Sequence, residues 1–140
     1  MEFHQTVSQT VINQLLSDIE KPARYVGGEL NSVVKDDNVR ARAALLFPDV
    51  YEVAESHIGL KILYHIINQE KDFAAERVYA MWPDLEKLSR DKKVPLWSLE
   101  TKRPLAMFDL IGVTLQYELS YPTLLAMLHH GGVTLRAEER

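Results

Sequence analysis

The run Ala43, Ala44, Leu45, Leu46 and Phe47, stopped by Pro48, is the feature that most constrains this chain. A strand buried on one face alternates apolar and polar residues. A short unbroken apolar run instead describes a strand covered on both faces, as in a parallel sheet. Two further apolar segments, residues 75–80 and 110–115, follow at intervals of roughly thirty residues that carry helical patterning. Strands alternating with helices at that spacing form right-handed β-α-β crossovers. The predicted fold class is therefore α/β: a small three-layer, mostly parallel sheet of about three to five strands with an N-terminal helix.

The helices can be placed by their stripes and caps. Val7, Val11, Ile12, Leu15, Leu16 and Ile19 share one helical face, with Thr6 and Gln9 set as a capping box and Pro22 beyond the end. Residues 24–34, around the turn Gly27-Gly28, read as an arm or hairpin. Ser56 is placed to cap a helix over 57–69, whose Ile58, Leu60, Ile62, Leu63, Ile66 and Ile67 cover so wide an arc that it should be mostly buried. A short helix is expected from Pro83 to about Arg90, a minor strand at 96–99, and a last helix over 122–130 stopped by Gly131-Gly132.

A doubly wound sheet has about five or six strands, so the domain looks unfinished. Either residues 133–136 complete a small sheet, or the polypeptide continues, or a second copy covers the exposed sheet edge and makes a homodimer. The chain divides into an N-terminal helix and arm, residues 1–35, and an α/β domain, residues 36–140.

Composition narrows the functional classes. With 140 residues there is material for one core, and the net charge of −4 gives no global attraction to nucleic acid. Lys87, Arg90, Lys92 and Lys93 are interrupted by Asp84, Glu86 and Asp91, a pattern of a solvated helix face. The most apolar stretch, residues 58–67, is shorter than a membrane span, and a cytoplasmic location without membrane or nucleic-acid partners is expected. The chain has no cysteine, which removes thiolate metal sites, cysteine-ligated iron–sulfur clusters and cysteine nucleophiles.

Ligands of open α/β sheets bind beyond the carboxyl ends of the strands where the strand order reverses. With the order second, first, third, the loops after the first and third strands meet there. This makes Asp49, Tyr51, Glu52, Ser56, His57, Gln116, Tyr117 and Glu118 the ligand-binding candidates. Asp49, Glu52, Glu55 and His57 have the donor types of a divalent-metal or acid–base site, but they equally suit the start of a helix, where carboxylates and Ser56 satisfy free N–H groups. No metal site and no catalytic residue is assigned. His129-His130 reads as a helix terminus, and Met81, Trp82 and Trp97 as core and cap residues.

Several segments carry a resemblance. Lys21-Pro22-Ala23-Arg24-Tyr25-Val26-Gly27-Gly28-Glu29-Leu30-Asn31-Ser32-Val33, Phe47-Pro48-Asp49-Val50-Tyr51-Glu52, Ser56-His57-Ile58-Gly59-Leu60 with Leu63-Tyr64-His65, Glu76-Arg77-Val78, Trp82-Pro83-Asp84 and Leu115-Gln116-Tyr117-Glu118-Leu119 resemble the opening of a family of bacterial radical SAM proteins of uncharacterised activity. The resemblance runs from residue 21 to 132 and marks Tyr25, Gly27, Gly28, Glu29 and Asn31 as a separate patch.

It implies a Rossmann-like domain, similar in fold to cobalamin-binding domains, ahead of a radical SAM barrel with a C-x-x-x-C-x-x-C motif. The parent protein would then use a 4Fe–4S cluster and S-adenosylmethionine, while this cysteine-free chain carries no cofactor and is expected to be part of a longer protein. Glu55-Ser56-His57-Ile58-Gly59 departs from the cobalamin fingerprint D-x-H-x-x-G, so His57 is not expected to ligate cobalamin. The expected role is a non-catalytic accessory domain whose partner is the downstream radical SAM domain of the same polypeptide. The alternatives are a binding module for a cobalamin- or nucleotide-like ligand and a dimeric scaffold.

Overall fold

A computed structural model describes residues 5–139. The elements run α1 (Gln9–Leu16), α2 (Ala23–Val26), β1 (Ala41–Phe47), α3 (Tyr51–Ser56), α4 (Ile58–Gln69), β2 (Phe73–Tyr79), α5 (Pro83–Asp91), β3 (Leu110–Val113) and α6 (Ser120–His130), with short 3-10 turns at Leu105–Met107 and Ala137–Glu139. The three strands form one all-parallel sheet in the order β2-β1-β3. Register runs from Ala41 opposite Phe73 to Phe47 opposite Tyr79, and from Ala43 opposite Leu110 to Leu46 opposite Val113. This is the expected α/β fold, and β1 lies at its centre because its apolar run is buried on both faces.

Alternate residues of the strands build two cores. Ala44 and Leu46 of β1 and Val78 of β2 pack with Leu96, Leu105, Met127 and Leu128, which places α6 on one face. Leu45 and Phe47 of β1 and Ala75 and Tyr79 of β2 pack with Ala54, Leu60, Tyr64 and Leu99, which places α3 and α4 on the other. A third cluster seats α1 on the body: Ile12, Leu15 and Leu16 meet Tyr25, Leu85, Val94 and Trp97. No described helix is long and apolar enough to cross a membrane.

Local expectations are corrected in five places. The cap of α1 is Ser8, whose Oγ accepts from Val11 N–H, and not Thr6, because the helix starts later than its apolar stripe. Residues 24–34 form no hairpin; after α2 the chain continues as an irregular arm, since Gly27 and Gly28 both have positive φ and turn it out of the helix. A break at His57 separates α3 from α4, and His57 rather than Ser56 is the cap. Residues 96–99 make only an isolated bridge, Trp97 to Pro104. Residues 133–136 form no strand, for Val133 N–H turns back to Leu128 C=O.

The largest difference is in α4. Only Leu60 and Tyr64 are buried, while Ile58 is 73% exposed and Ile62, Leu63 and Ile66 are each at least half exposed. One stripe of the helix covers the narrow sheet, and no described element covers the rest.

Candidate functional site

The sequence places two adjacent charged residues, Glu76 and Arg77, inside an otherwise apolar strand, and strand alternation sends them to opposite faces. On the α6 face Glu76, 1% exposed, accepts from Arg42 Nη1 at 2.8 Å, Ser98 Oγ at 2.6 Å and Thr101 Oγ1 at 2.7 Å. Arg42 also donates to the carbonyls of Lys35 and Asp36. This network ties the 98–101 loop to the sheet. A buried charge is tolerated only when it is paired and hydrogen-bonded, and both residues meet that condition.

On the α4 face Arg77, 6% exposed, is the centre of the candidate site. Its Nε donates to Glu100 Oε1 at 2.7 Å, Nη1 to Glu55 Oε1 at 2.6 Å, and Nη2 to Glu29 Oε2 at 2.8 Å and Ser32 Oγ at 3.1 Å. The planar guanidinium thus holds three carboxylates from three separate segments, a geometry lysine would not reproduce. Tyr64 lies under the guanidinium, 5.2 Å from its ring centroid. Tyr79 donates to Glu55 at 2.6 Å and Tyr51 to Glu29 at 3.0 Å.

These contacts shift the titrations. Burial would raise Glu29, but Arg77 and Ser32 hold it down to about 2. Burial and the neighbouring Glu29 push Tyr51 up to about 12, and burial with Glu100 does the same for Tyr64. Burial raises Glu100 in spite of Arg77. The tyrosines are therefore neutral donors at physiological pH, and none is poised as a base.

The arm reaches this centre over a glycine. Gly27 has φ +70°, and a Cβ there would stand 2.4 Å from the carbonyl oxygen of Leu99. Lys102 Nζ lies beside it and donates to the carbonyls of Val26 at 2.7 Å, Leu99 at 2.6 Å and Tyr25 at 3.2 Å. Burial lowers the Lys102 pKa. The Tyr25 hydroxyl accepts from Trp82 N–H at 2.9 Å. Arg24 pairs with Glu52 at 2.8 Å and stacks over Trp82. Beside Arg77 an open cleft of about 800 Å³ remains, lined by Glu29, Asn31, Glu55, Lys61, Tyr64 and His65 among others. A separate cleft of about 440 Å³ lies at the carboxyl ends of α5 and α6, beside Arg90, Lys93 and His130.

The sequence-derived candidates separate into two groups. Tyr51 and Glu29 meet at Arg77, and Asn31 lines the cleft, which joins the arm patch to the loop after β1. Glu52 faces Arg24 instead, and Asp49 closes its own turn by accepting from Val50 N–H at 2.7 Å. Ser56 Oγ donates to Val53 C=O and ends α3. Gln116, Tyr117 and Glu118 are exposed beyond β3, and no hydrogen bond or ion pair joins them to residues 49–57 among the described residues. Arg77, Glu100, Lys102, Tyr64 and Tyr79 were absent from the sequence candidates. The adjacent charges in β2 were the signal that points to Arg77.

His57 Nδ1 accepts from Leu60 N–H at 3.1 Å and its ring packs on Phe47 with centroids 5.3 Å apart. His57→Ala is expected to cost about 1–2 kcal/mol by loss of the cap, with most of it retained in His57→Asn, read by urea unfolding. Equal losses in both variants would assign the stability to the ring instead.

Among the described residues no group of three His, Asp or Glu side chains is placed to hold a metal, the three carboxylates at Arg77 being held by the guanidinium. Residues 59–140 match the family model described as radical SAM proteins, N-terminal. The chain belongs to that family. The match covers α4 from its second residue through β2, α5, β3 and α6, so Arg77, Glu100 and Lys102 of this radical SAM N-terminal domain lie inside it and the arm lies outside. No curated protein and no solved structure matches. The family implies a 4Fe–4S cluster and S-adenosylmethionine in the parent protein. These 140 residues do not fit the cluster, because a radical SAM cluster needs thiolate donors and the chain has no cysteine.

Proposed function

We propose that this domain is a non-catalytic accessory domain of a radical SAM protein, one that packs against the radical SAM domain and shapes the side from which substrate enters. The observation that carries the reading is family membership in a chain without cysteine. Any cluster and the S-adenosylmethionine bound to it then belong to other residues of the parent protein. In this reading the described part of residues 1–35 is laid across the described part of the α/β domain of residues 36–140, and Arg77 with Glu29, Glu55 and Glu100 keeps it there. The site does structural work: every nitrogen of the guanidinium donates to a neighbour. Reconstitution of the purified chain with iron and sulfide should leave no bound cluster and yield no cleavage of S-adenosylmethionine. Iron and sulfide retained in stoichiometric amounts would overturn the reading.

A second reading, a module that binds a small polar ligand, is supported by the open cleft of about 800 Å³ beside Arg77. Asn31, Lys61 and His65 on its rim offer donors, and Tyr51 stands behind Glu29. Asp49, Glu52, Ser56, His57, Gln116, Tyr117 and Glu118 would contribute only if the loops after β1 and β3 closed on each other. Calorimetric titration with cobalamin, S-adenosylmethionine and nucleotides tests it, and flat titrations would remove it.

A further inference from the structure

The two edges of the sheet are built in opposite ways. Along the outer edge of β2 the peptide groups are taken by side chains and loop. Lys35 Nζ donates to Phe73 C=O at 2.6 Å, and the Asn68 amide brackets Ala75, donating to its C=O and accepting from its N–H at 3.0 Å each. Arg77 N–H donates to Glu100, and Arg77 C=O accepts from Leu99 N–H at 2.9 Å. No further strand can pair there.

The outer edge of β3 is bare. Thr114 N–H donates to Leu46 C=O of β1 with Leu46 opposite Val113, so by the alternation of a parallel ladder Leu110 and Gly112 face β1 and the peptide groups of Ile111 and Val113 point away from the sheet. Among the described residues no hydrogen bond from outside the sheet reaches either of them. The flanking side chains are apolar: Leu110 is 63% exposed, and Val113 and Leu115 are each more than a third exposed. From residue 110 to 125 the only charged residue is Glu118. Exposed edges are usually guarded by charge, proline or a covering element, and β3 has none of these.

The helices say from which direction the edge is filled. From β1 to β2 the chain crosses on the α4 face and steps outward to one side. From β2 to β3 it passes the opposite face, where Leu96 and Leu105 lie, and steps past β1 to the other side. These two crossovers share one hand, and α6 returns from β3 on the same face as the second. A third crossover of that hand brings the next strand to the outer edge of β3, parallel to it.

We propose that the β3 edge is the docking seam of this domain, and that its occupant is an apolar strand of the parent radical SAM protein, entering after α6 and pairing in parallel with Ile111 and Val113. The order becomes β2-β1-β3 followed by the added strand. This rests on the accessory-domain reading and names the surface through which that domain joins the rest of the protein.

Amide hydrogen exchange at Ile111 and Val113, compared between the isolated 140-residue chain and the intact radical SAM protein carrying this domain, tests the seam. The two amides should exchange nearly unprotected in the isolated chain and at least about 100-fold more slowly in the intact protein. Val113→Pro removes an outward N–H at a residue more than a third exposed. That variant should leave the melting temperature of the isolated chain nearly unchanged and abolish the protection of Ile111 in the intact protein. Fast exchange at both amides in an active intact protein would overturn the seam while leaving the accessory role standing. Protection that appears in the isolated chain together with dimers in sedimentation would also overturn it, since a second copy would then be the occupant. Loss of the accessory role reads separately, as unchanged turnover of S-adenosylmethionine and substrate after deletion of the domain.

Discussion

Replacing Arg77 with methionine is expected to lower the stability of the isolated domain by about 3–5 kcal/mol, the range for breaking a buried ion pair from one side. Methionine keeps most of the volume, so the loss reports charge and hydrogen bonding rather than a cavity. The guanidinium is the common partner of Glu29, Glu55 and Glu100, and Glu100 has a side chain only 1% exposed. Without Arg77 that carboxylate is buried with no guanidinium partner, and its pKa, already raised by burial, rises further. The balance of the pH dependence then moves from Glu29 to Glu100. In the wild type Glu29 is depressed to about 2 from an ordinary value of 4.5, so its contribution is complete above 4.5 and is lost as pH falls from there towards 2. In the variant the raised Glu100 makes the folded state bind a proton that the unfolded state releases, and stability increases as pH falls through its folded pKa towards the ordinary 4.5. Thermal unfolding at pH 7 and pH 5.5 measures both effects. A variant within about 1 kcal/mol of the wild type and with an unchanged pH slope would show that the three carboxylates do not depend on Arg77.

What was legible in the chain follows from which interactions are local. The apolar run of β1, Pro83 at the start of α5 and the spacing of the strands are local signals, and the parallel sheet with order β2-β1-β3 emerges as read. The buried arc assigned to α4 was read from composition around the helix, but burial depends on what lies opposite, and a three-stranded sheet covers only the Leu60 and Tyr64 stripe. The site was less legible for the same reason. Arg77 meets Glu29 across 48 residues of sequence and Glu100 across 23, and no periodicity reports such pairs. Tyr51 and Glu29 were each singled out, yet for different patches, and it is the third partner in β2 that joins them. The rule that sets Gln116, Tyr117 and Glu118 beside the loop after β1 holds for complete sheets, whereas here the edge strand beside them is open.

The arm offers the second large effect. Gly27→Ala is expected to cost at least about 3 kcal/mol, because two penalties coincide. Its backbone stands at φ +70° and ψ −162°, a region open essentially to glycine alone. The added methyl would also stand 2.4 Å from Leu99 C=O, and this is backbone held in place by Leu99 N–H on Arg77 C=O. The arm must therefore move, and Lys102 then loses the carbonyls of Tyr25 and Val26 that, with Leu99, take its ammonium in a buried position. Gly28→Ala is the internal control: its φ is +78°, but nothing lies within 4 Å of a Cβ, so about 1 kcal/mol is expected. Urea unfolding of the two variants side by side separates backbone conformation from contact. Equal losses at both positions would mean that φ alone limits them and that the arm is not pressed on the Leu99 carbonyl. A loss at Gly27 several times larger, with Trp82 fluorescence shifted towards that of an exposed indole, would show that the arm leaves the α/β domain when that one contact fails.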